Sequence, residues 1–227
     1  MDQLIITTWL WGQKYTVAHV KKLRSGFNRH LQQSFRFVCF TDTQREPVDG
    51  VTFAPFPDLY LTNVKGCFAR LRMFDPTFQA WNDLSSGRIV CCDLDTVITG
   101  PLDPVFDRPE PFVILQGGNA VNPCPYVGAL MMLRGGAYPE VWKNFSLEKA
   151  SKVPFHEFPD DQGWLWHMIP DAAGWKAGEG GVYVFQKPGW PNKSVELPAD
   201  ARLVTFIGWR KPEKFRSLDW VRKHWVA

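Results

Sequence analysis

What this 227-residue sequence lacks narrows its possibilities first. No stretch approaches the about 18 consecutive apolar residues of a membrane-spanning helix, so no integral membrane segment is expected. No basic segment followed by an apolar core opens the chain, and a cytoplasmic protein is the expectation. The five cysteines (Cys39, Cys67, Cys91, Cys92 and Cys124) contain no C-x-x-C pair, which removes the usual zinc and dithiol spacings. Three of them lie in apolar runs, and all five read as reduced core residues. The net charge is only +3, whereas a nucleic-acid binder is basic more broadly, so no nucleic acid partner is expected. Internal repeats, low-complexity tracts and a linker are missing as well. A single domain spanning residues 1–227 follows.

What is present fits that picture. A composition of 45% hydrophobic and 22% charged residues belongs to a globular protein with one sizeable core. The charge is uneven: residues 201–227 carry +5 and the remainder −2. A local basic patch of this kind suits a phosphate-bearing ligand, or peripheral contact with an anionic membrane surface. The 11 Trp and 17 Phe are mostly core material. Several Trp nevertheless sit beside Gly or Pro (Trp11, Trp190 and Trp209), where a flat face can stack on a sugar or base.

Apolar patterning sets the elements. Leu4 to Leu10 reads as a strand, followed by a loop at Trp11 to Tyr15. Thr16 is the expected N-cap of a helix carrying Val20, Leu23, Phe27 and Leu31 on one face. Phe35 to Phe40 completes a β-α-β unit, Val51 to Phe53 is a short third strand, and Phe68 to Phe74 is a helix stopped at Asp75-Pro76. With the strand Ile89 to Cys92, residues 1–100 form an α/β nucleotide-binding half. Residues 101–227 make the acceptor half and the basic C-terminal segment. In it, strands are expected at Phe112 to Leu115, Ala129 to Leu133, Val182 to Phe185 and Leu203 to Ile207. Helices are expected near Tyr138 to Phe145 and from Asp160.

The most informative stretch is Ile89-Val90-Cys91-Cys92-Asp93-Leu94-Asp95. Its apolar part shows no polar alternation, as in a strand buried on both faces. It then ends in two carboxylates. In extended backbone, residues i and i+2 project to the same side, so Asp93 and Asp95 are expected to reach one hard cation, Mn or Mg, while Leu94 points inward. The tripeptide alone is weak, since about one is expected by chance in such a chain. Its place at the carboxyl end of a buried strand, where α/β sheets gather their ligands, strengthens it.

Three segments in this order resemble the GT-A glycosyltransferases, specifically glycosyltransferase family 8 with its bacterial and phage relatives. Phe68-Ala69-Arg70-Leu71 is similar to the family's Tyr-Ala-Arg-Leu helix, Asp93-Leu94-Asp95 to its Asp-x-Asp metal site, and Asp161-Gln162 to its Asp-Gln pair near the transferred sugar. Ile207-Gly208-Trp209-Arg210-Lys211-Pro212 resembles His-Gly-x-x-Lys-Pro with Ile in place of His. The resemblance implies a Rossmann-like GT-A fold, with a mixed central sheet flanked by helices. It also implies a nucleotide diphosphate sugar, with UDP as the expected nucleotide, donating a hexose to an acceptor such as a glycan, lipid-linked sugar or protein.

By the same resemblance, Asp93 and Asp95 hold the metal, Asp161 and Gln162 are catalytic, and Trp11, Tyr15, Arg70, Gly208 and Lys211 bind the donor. The chemistry is coherent: a leaving diphosphate gains negative charge that a cation and Lys211 stabilise. Ile207 departs from the pattern, because it has no lone pair to complete a metal shell. None of the five histidines is marked as its substitute. Two alternatives remain at this stage. One is a non-catalytic nucleotide- or sugar-binding protein on the same fold. The other is a haloacid-dehalogenase-type phosphatase, with Asp93 as nucleophile in Asp93-Leu94-Asp95-Thr96-Val97.

Overall fold

The structure is a computed structural model that describes residues 3–118, 124–155, 157–191 and 194–227; His156 lies outside them. Ten strands are seen among these residues. They are β1 (Gln3–Leu10), β2 (Phe35–Thr41), β3 (Thr52–Pro55), β4 (Gly87–Cys92), β5 (Thr96–Ile98), β6 (Phe112–Gln116), β7 (Tyr126–Arg134), β8 (Ala173–Lys176), β9 (Val182–Val184) and β10 (Leu203–Thr205). Seven of them build one mixed sheet in the order β3-β2-β1-β4-β7-β6-β8. The strands from β3 to β4 run parallel, while β7 is antiparallel to both β4 and β6.

The unalternating apolar runs are explained by burial on both faces of this sheet. Ile5, Val38, Ile89 and Met131 pack to one side, and Leu4, Ile6, Phe37, Val90 and Met132 to the other. Helix α1 (Val17–His30) covers the second face with Val20, Leu23 and Phe27 buried, and Thr16 is its N-cap as expected. A smaller sheet, β5-β10-β9, has its own aromatic cluster of Phe185, Phe206, Trp190 and Trp220. Of the five cysteines, Cys39, Cys91, Cys92 and Cys124 are buried and Cys67 is partly so.

The remaining helices are short: α2 (Pro76–Trp81), α3 (Asp103–Phe106), α4 (Glu140–Lys143), α5 (Leu147–Ala150), α6 (Asp161–Met168) and α7 (Asp219–His224). Two expectations need correction here. Phe68–Phe74 is a 3-10 helix, and Asp75-Pro76 begins α2 as well as ending that segment, because the Asp75 carboxylate accepts from the Thr77 N–H. The tighter winding buries both Arg70 and its apolar neighbours. The second correction concerns Asp93 and Asp95. They stand on a turn between β4 and β5, closed by the Thr96 N–H on the Asp93 carbonyl at 3.2 Å, rather than on extended backbone.

Candidate active site

Strands β1 and β4 are adjacent and parallel, while the chain between them passes through β2 and β3 on the far side of β1. The loops leaving β1 and β4 therefore emerge at the same edge, at the point where the strand order reverses and a crevice forms. Trp11 to Tyr15 leave one strand, Asp93 to Asp95 the other. The smaller sheet brings the third segment. Register pairing of β10 with β5 places Thr205 opposite Thr96, and the Phe206 N–H donates to the Asp95 carbonyl at 3.2 Å. That pairing carries Ile207 to Lys211 onto the carboxylates across more than 100 residues of sequence.

The two aspartates take different partners. Asp95 is 2% exposed; its Oδ2 accepts from the Tyr15 hydroxyl at 2.7 Å and from the Lys211 ammonium, whereas its buried Oδ1 has no hydrogen-bond partner among the described residues. Burial and the neighbouring Asp93 push its carboxyl above the usual range, against the pull of Lys211. Asp93 keeps a 37% exposed side chain and accepts from Arg70 Nη1 at 2.6 Å. Tyr15 is held protonated, chiefly by burial and then by Asp95.

Arg70 is the hub. It is 5% exposed, donates from Nη1 to the Gly128 carbonyl at 2.6 Å, and pairs through Nη2 with Asp161 at 2.8 Å. The latter is an ion pair without well-aligned hydrogen-bond geometry, since Asp161 Oδ2 finds no proper donor. Gly128 is required for this approach, because a Cβ there would lie 2.7 Å from Arg70 Nη2. Asp161 is itself 2% exposed, and burial raises its carboxyl to about 7 against the opposing pull of Arg70. The cap of α6 is Asp160, whose Oδ1 accepts the Gly163 N–H at 2.7 Å; Asp161 is thereby left to pair with Arg70. Gln162 is fixed from both sides, by the Gly128 N–H on its Oε1 at 3.1 Å and by its own Nε2 donating to Asp160 at 2.8 Å.

Two adjoining hollows share Arg70 and Asp93. The first, of about 350 Å³, is lined by Trp11, Lys14, Tyr15, Lys65 and Cys67. Trp11 meets Trp9 and Phe56 edge-on with centroids 6.5 and 6.3 Å apart, contacts that fix its ring. The second hollow, of about 370 Å³, is lined by Gln162, Phe158, Ile207, Gly208 and Trp209. Gly208 adopts φ +62° with open space where a Cβ would stand, so the left-handed backbone is what requires glycine. A larger open hollow of about 690 Å³ lies between Arg24, Arg36 and Gly50, but among the described residues its lining holds no carboxylate or histidine.

Of the sequence-predicted residues, Trp11, Tyr15, Arg70, Asp93, Gln162 and Gly208 line the two hollows, whereas Asp95, Lys211 and Asp161 adjoin them through Tyr15, Asp95 and Arg70 respectively. Among the described residues no group of three His, Cys, Asp or Glu side chains forms a metal-ligand cluster. Ile207 packs on the core beside the cleft. Sequence reasoning missed Lys14, Gly128 and Lys65. Lys14 alone had a signal, its position beside Tyr15; burial and then Lys211 lower its pKa. Asp93, the nucleophile of the phosphatase alternative, is tied to Arg70 and follows the fourth strand of the chain.

No family model matches the sequence, and no curated protein matches it. Among solved structures, the chain is similar to the galactosyltransferase LgtC, solved in complex with donor and acceptor sugar analogs. The two share 11% identity with a TM-score of 0.58, covering 98% of this chain and 97% of that one. At that identity the likeness is one of fold: the chain has the Rossmann-like GT-A fold, as its sequence led us to expect.

Proposed function

We propose that the protein is a metal-dependent glycosyltransferase that moves a hexose from a nucleotide diphosphate sugar, a UDP-sugar, to a glycan, lipid-linked sugar or protein acceptor. The observation that carries this reading is the Asp95 carboxylate, buried with Oδ1 unpartnered, next to an Asp93 whose side chain is open to the cleft. An orphaned buried carboxylate oxygen costs free energy unless a cation or donor meets it. Two hard oxygens fit Mn or Mg, whose shells accept water and phosphate oxygens as further ligands. Bound there by Asp93 and Asp95, the ion would neutralise the charge that develops on a leaving diphosphate.

The chain's own residues supply the rest of the proposed chemistry. Lys211, paired with Asp95, would offer a second positive charge to the diphosphate. Arg70 stays charged because Asp161 and Asp93 outweigh its burial, and its fork, engaged with Asp93, Asp161 and the Gly128 carbonyl, would hold Asp93 in place beside the donor. Asp161 acts through Arg70 as a positioning residue. Gln162, held by the Gly128 N–H and lining the second hollow, would contact the transferred sugar. Trp11 and Tyr15 flank the first hollow as walls for the base, and Gly208 leaves room for a phosphate. The likeness to a galactosyltransferase solved with donor and acceptor analogs supports the same reading.

Calorimetry with UDP tests it. UDP should bind tightly with Mn, weakly in EDTA, and not detectably to Asp93→Ala or Asp95→Ala; equal affinity in Mn and EDTA overturns the metal assignment. Ile207 favours a second reading, a non-catalytic binder on the same fold. Release of UDP from a UDP-hexose over hours, with or without acceptor, separates the two.

A further inference from the structure

Beyond the second hollow lies a recess of about 300 Å³ lined by Gln186, Lys187, Trp190 and Arg210. It is continuous with the cleft, because Lys187 and Arg210 line both. Its chemistry differs from the cleft's. The inner hollow balances its cations with Asp93 and Asp160, and exposed Glu157 stands on its wall, whereas among the described residues no carboxylate lines the recess. Among the described residues neither Lys187 nor Arg210 forms an ion pair. Two unpaired cations sharing one concave wall repel each other unless an anion lies between them.

Two further features are built around this pair. Gln186 holds φ +51°, a left-handed conformation that is costly for a residue with a side chain and tends to persist at functional positions. Its carboxamide oxygen accepts a long hydrogen bond from Arg210 Nε at 3.5 Å, so the strained residue orients the guanidinium. Beside it Trp209 is 64% exposed at the mouth of the cleft, braced by Phe215 at 6.4 Å and by Arg210 over its ring at 4.8 Å. A large aromatic exposed to this degree next to a hollow offers a face to a sugar ring.

We infer that Lys187, Arg210 and Trp209 form an acceptor subsite for a sugar that carries an anionic group, a carboxylate or a phosphate. The sugar ring lies on Trp209 and its anion between Lys187 and Arg210, with its hydroxyl directed inward to the cleft. Arg210 serves the anion with a planar fork, and Lys187 with a point charge. This rests on the glycosyltransferase reading for the acceptor's role, but the preference for anionic sugars can be measured without it.

The test uses the full chain and three probes: p-nitrophenyl β-glucoside, the corresponding β-glucuronide, and the glucoside 6-phosphate. Affinities are measured by saturation-transfer NMR with and without UDP and Mn. Both charged probes should bind about tenfold tighter than the neutral one, and the difference should shrink as salt rises. The ranking of glucuronide against 6-phosphate tells which anion the subsite takes. In Lys187→Gln/Arg210→Gln the preference should vanish while circular dichroism stays unchanged, and Trp209→Ala should weaken all three probes alike. Equal affinity for charged and neutral probes, or a preference that survives the double variant, overturns the proposal. Failure of UDP to bind while the anion preference holds would instead strike only the donor reading.

Discussion

Replacing Arg70 by Met keeps most of the side-chain volume and removes the charge that holds three segments together. In the wild type that guanidinium meets Asp93 at 2.6 Å, Asp161 at 2.8 Å and the Gly128 carbonyl at 2.6 Å, from a position only 5% exposed. Asp93 can turn to solvent when the partner is lost, but Asp161, 2% exposed, has no such escape. Leaving one member of a buried pair uncompensated costs about 3–5 kcal/mol. For a chain of this length that is a fall in Tm of about 6–20 °C.

The penalty also carries a pH signature. Asp161 already has a folded pKa near 7, above its usual 3.8, so between those values the folded state holds more protons than the unfolded one. Its contribution is therefore full at low pH and is lost as pH rises toward 7. Without Arg70 the carboxyl rises further, and the decline should extend to higher pH. Urea unfolding at pH 5 and pH 8 measures both quantities. Arg70→Met should be hurt more at pH 8, and Arg70→Met/Asp161→Asn should recover part of the loss, with a coupling of about 2 kcal/mol or more. A single-variant cost under about 1 kcal/mol at pH 8, or strict additivity in the double, would refute the account of Arg70 as the hub.

Other consequences follow from neighbouring residues. Ile207→His should tighten Mn binding in the presence of UDP and make it weaken below about pH 6, since only neutral imidazole ligates; calorimetry showing no gain in a folded variant would mean that this segment does not approach the ion. Tyr15→Phe removes the 2.7 Å hydroxyl bond to Asp95 and should cost about 1 kcal/mol in urea unfolding, with a larger proportional loss of UDP affinity. Gly208→Ala meets open space but a φ of +62°, so a stability loss of about 1 kcal/mol is expected from backbone strain alone. A loss of UDP binding beyond that would mark close approach of the phosphate.

Most of the strands, helix α1 and the edge where the site forms were legible in the residues alone, while β8 and the 3-10 winding of Phe68–Phe74 were not. Ile89 to Cys92 has no polar alternation, which demands burial on both faces, and β4 indeed lies between β1 and β7. Thr16 and the Val20, Leu23, Phe27 spacing fixed α1 for equally local reasons. Local rules also marked Asp93 and Asp95, because a carboxylate ending an apolar strand conflicts with its surroundings. Other features were not local. A helix start near Asp160 was readable in sequence, but the division of labour was not: Asp160 caps α6, while its neighbour Asp161 pairs with Arg70, 91 positions earlier. The arrival of Lys211 at Asp95 depended on β10 pairing with β5, a register that neither three-residue strand encodes alone. The split environments of the two aspartates, one buried and one open, came from the same packing. Burial and charge pairing are properties of segments that meet only in the folded chain, and those contacts make a turn between two strands into a site.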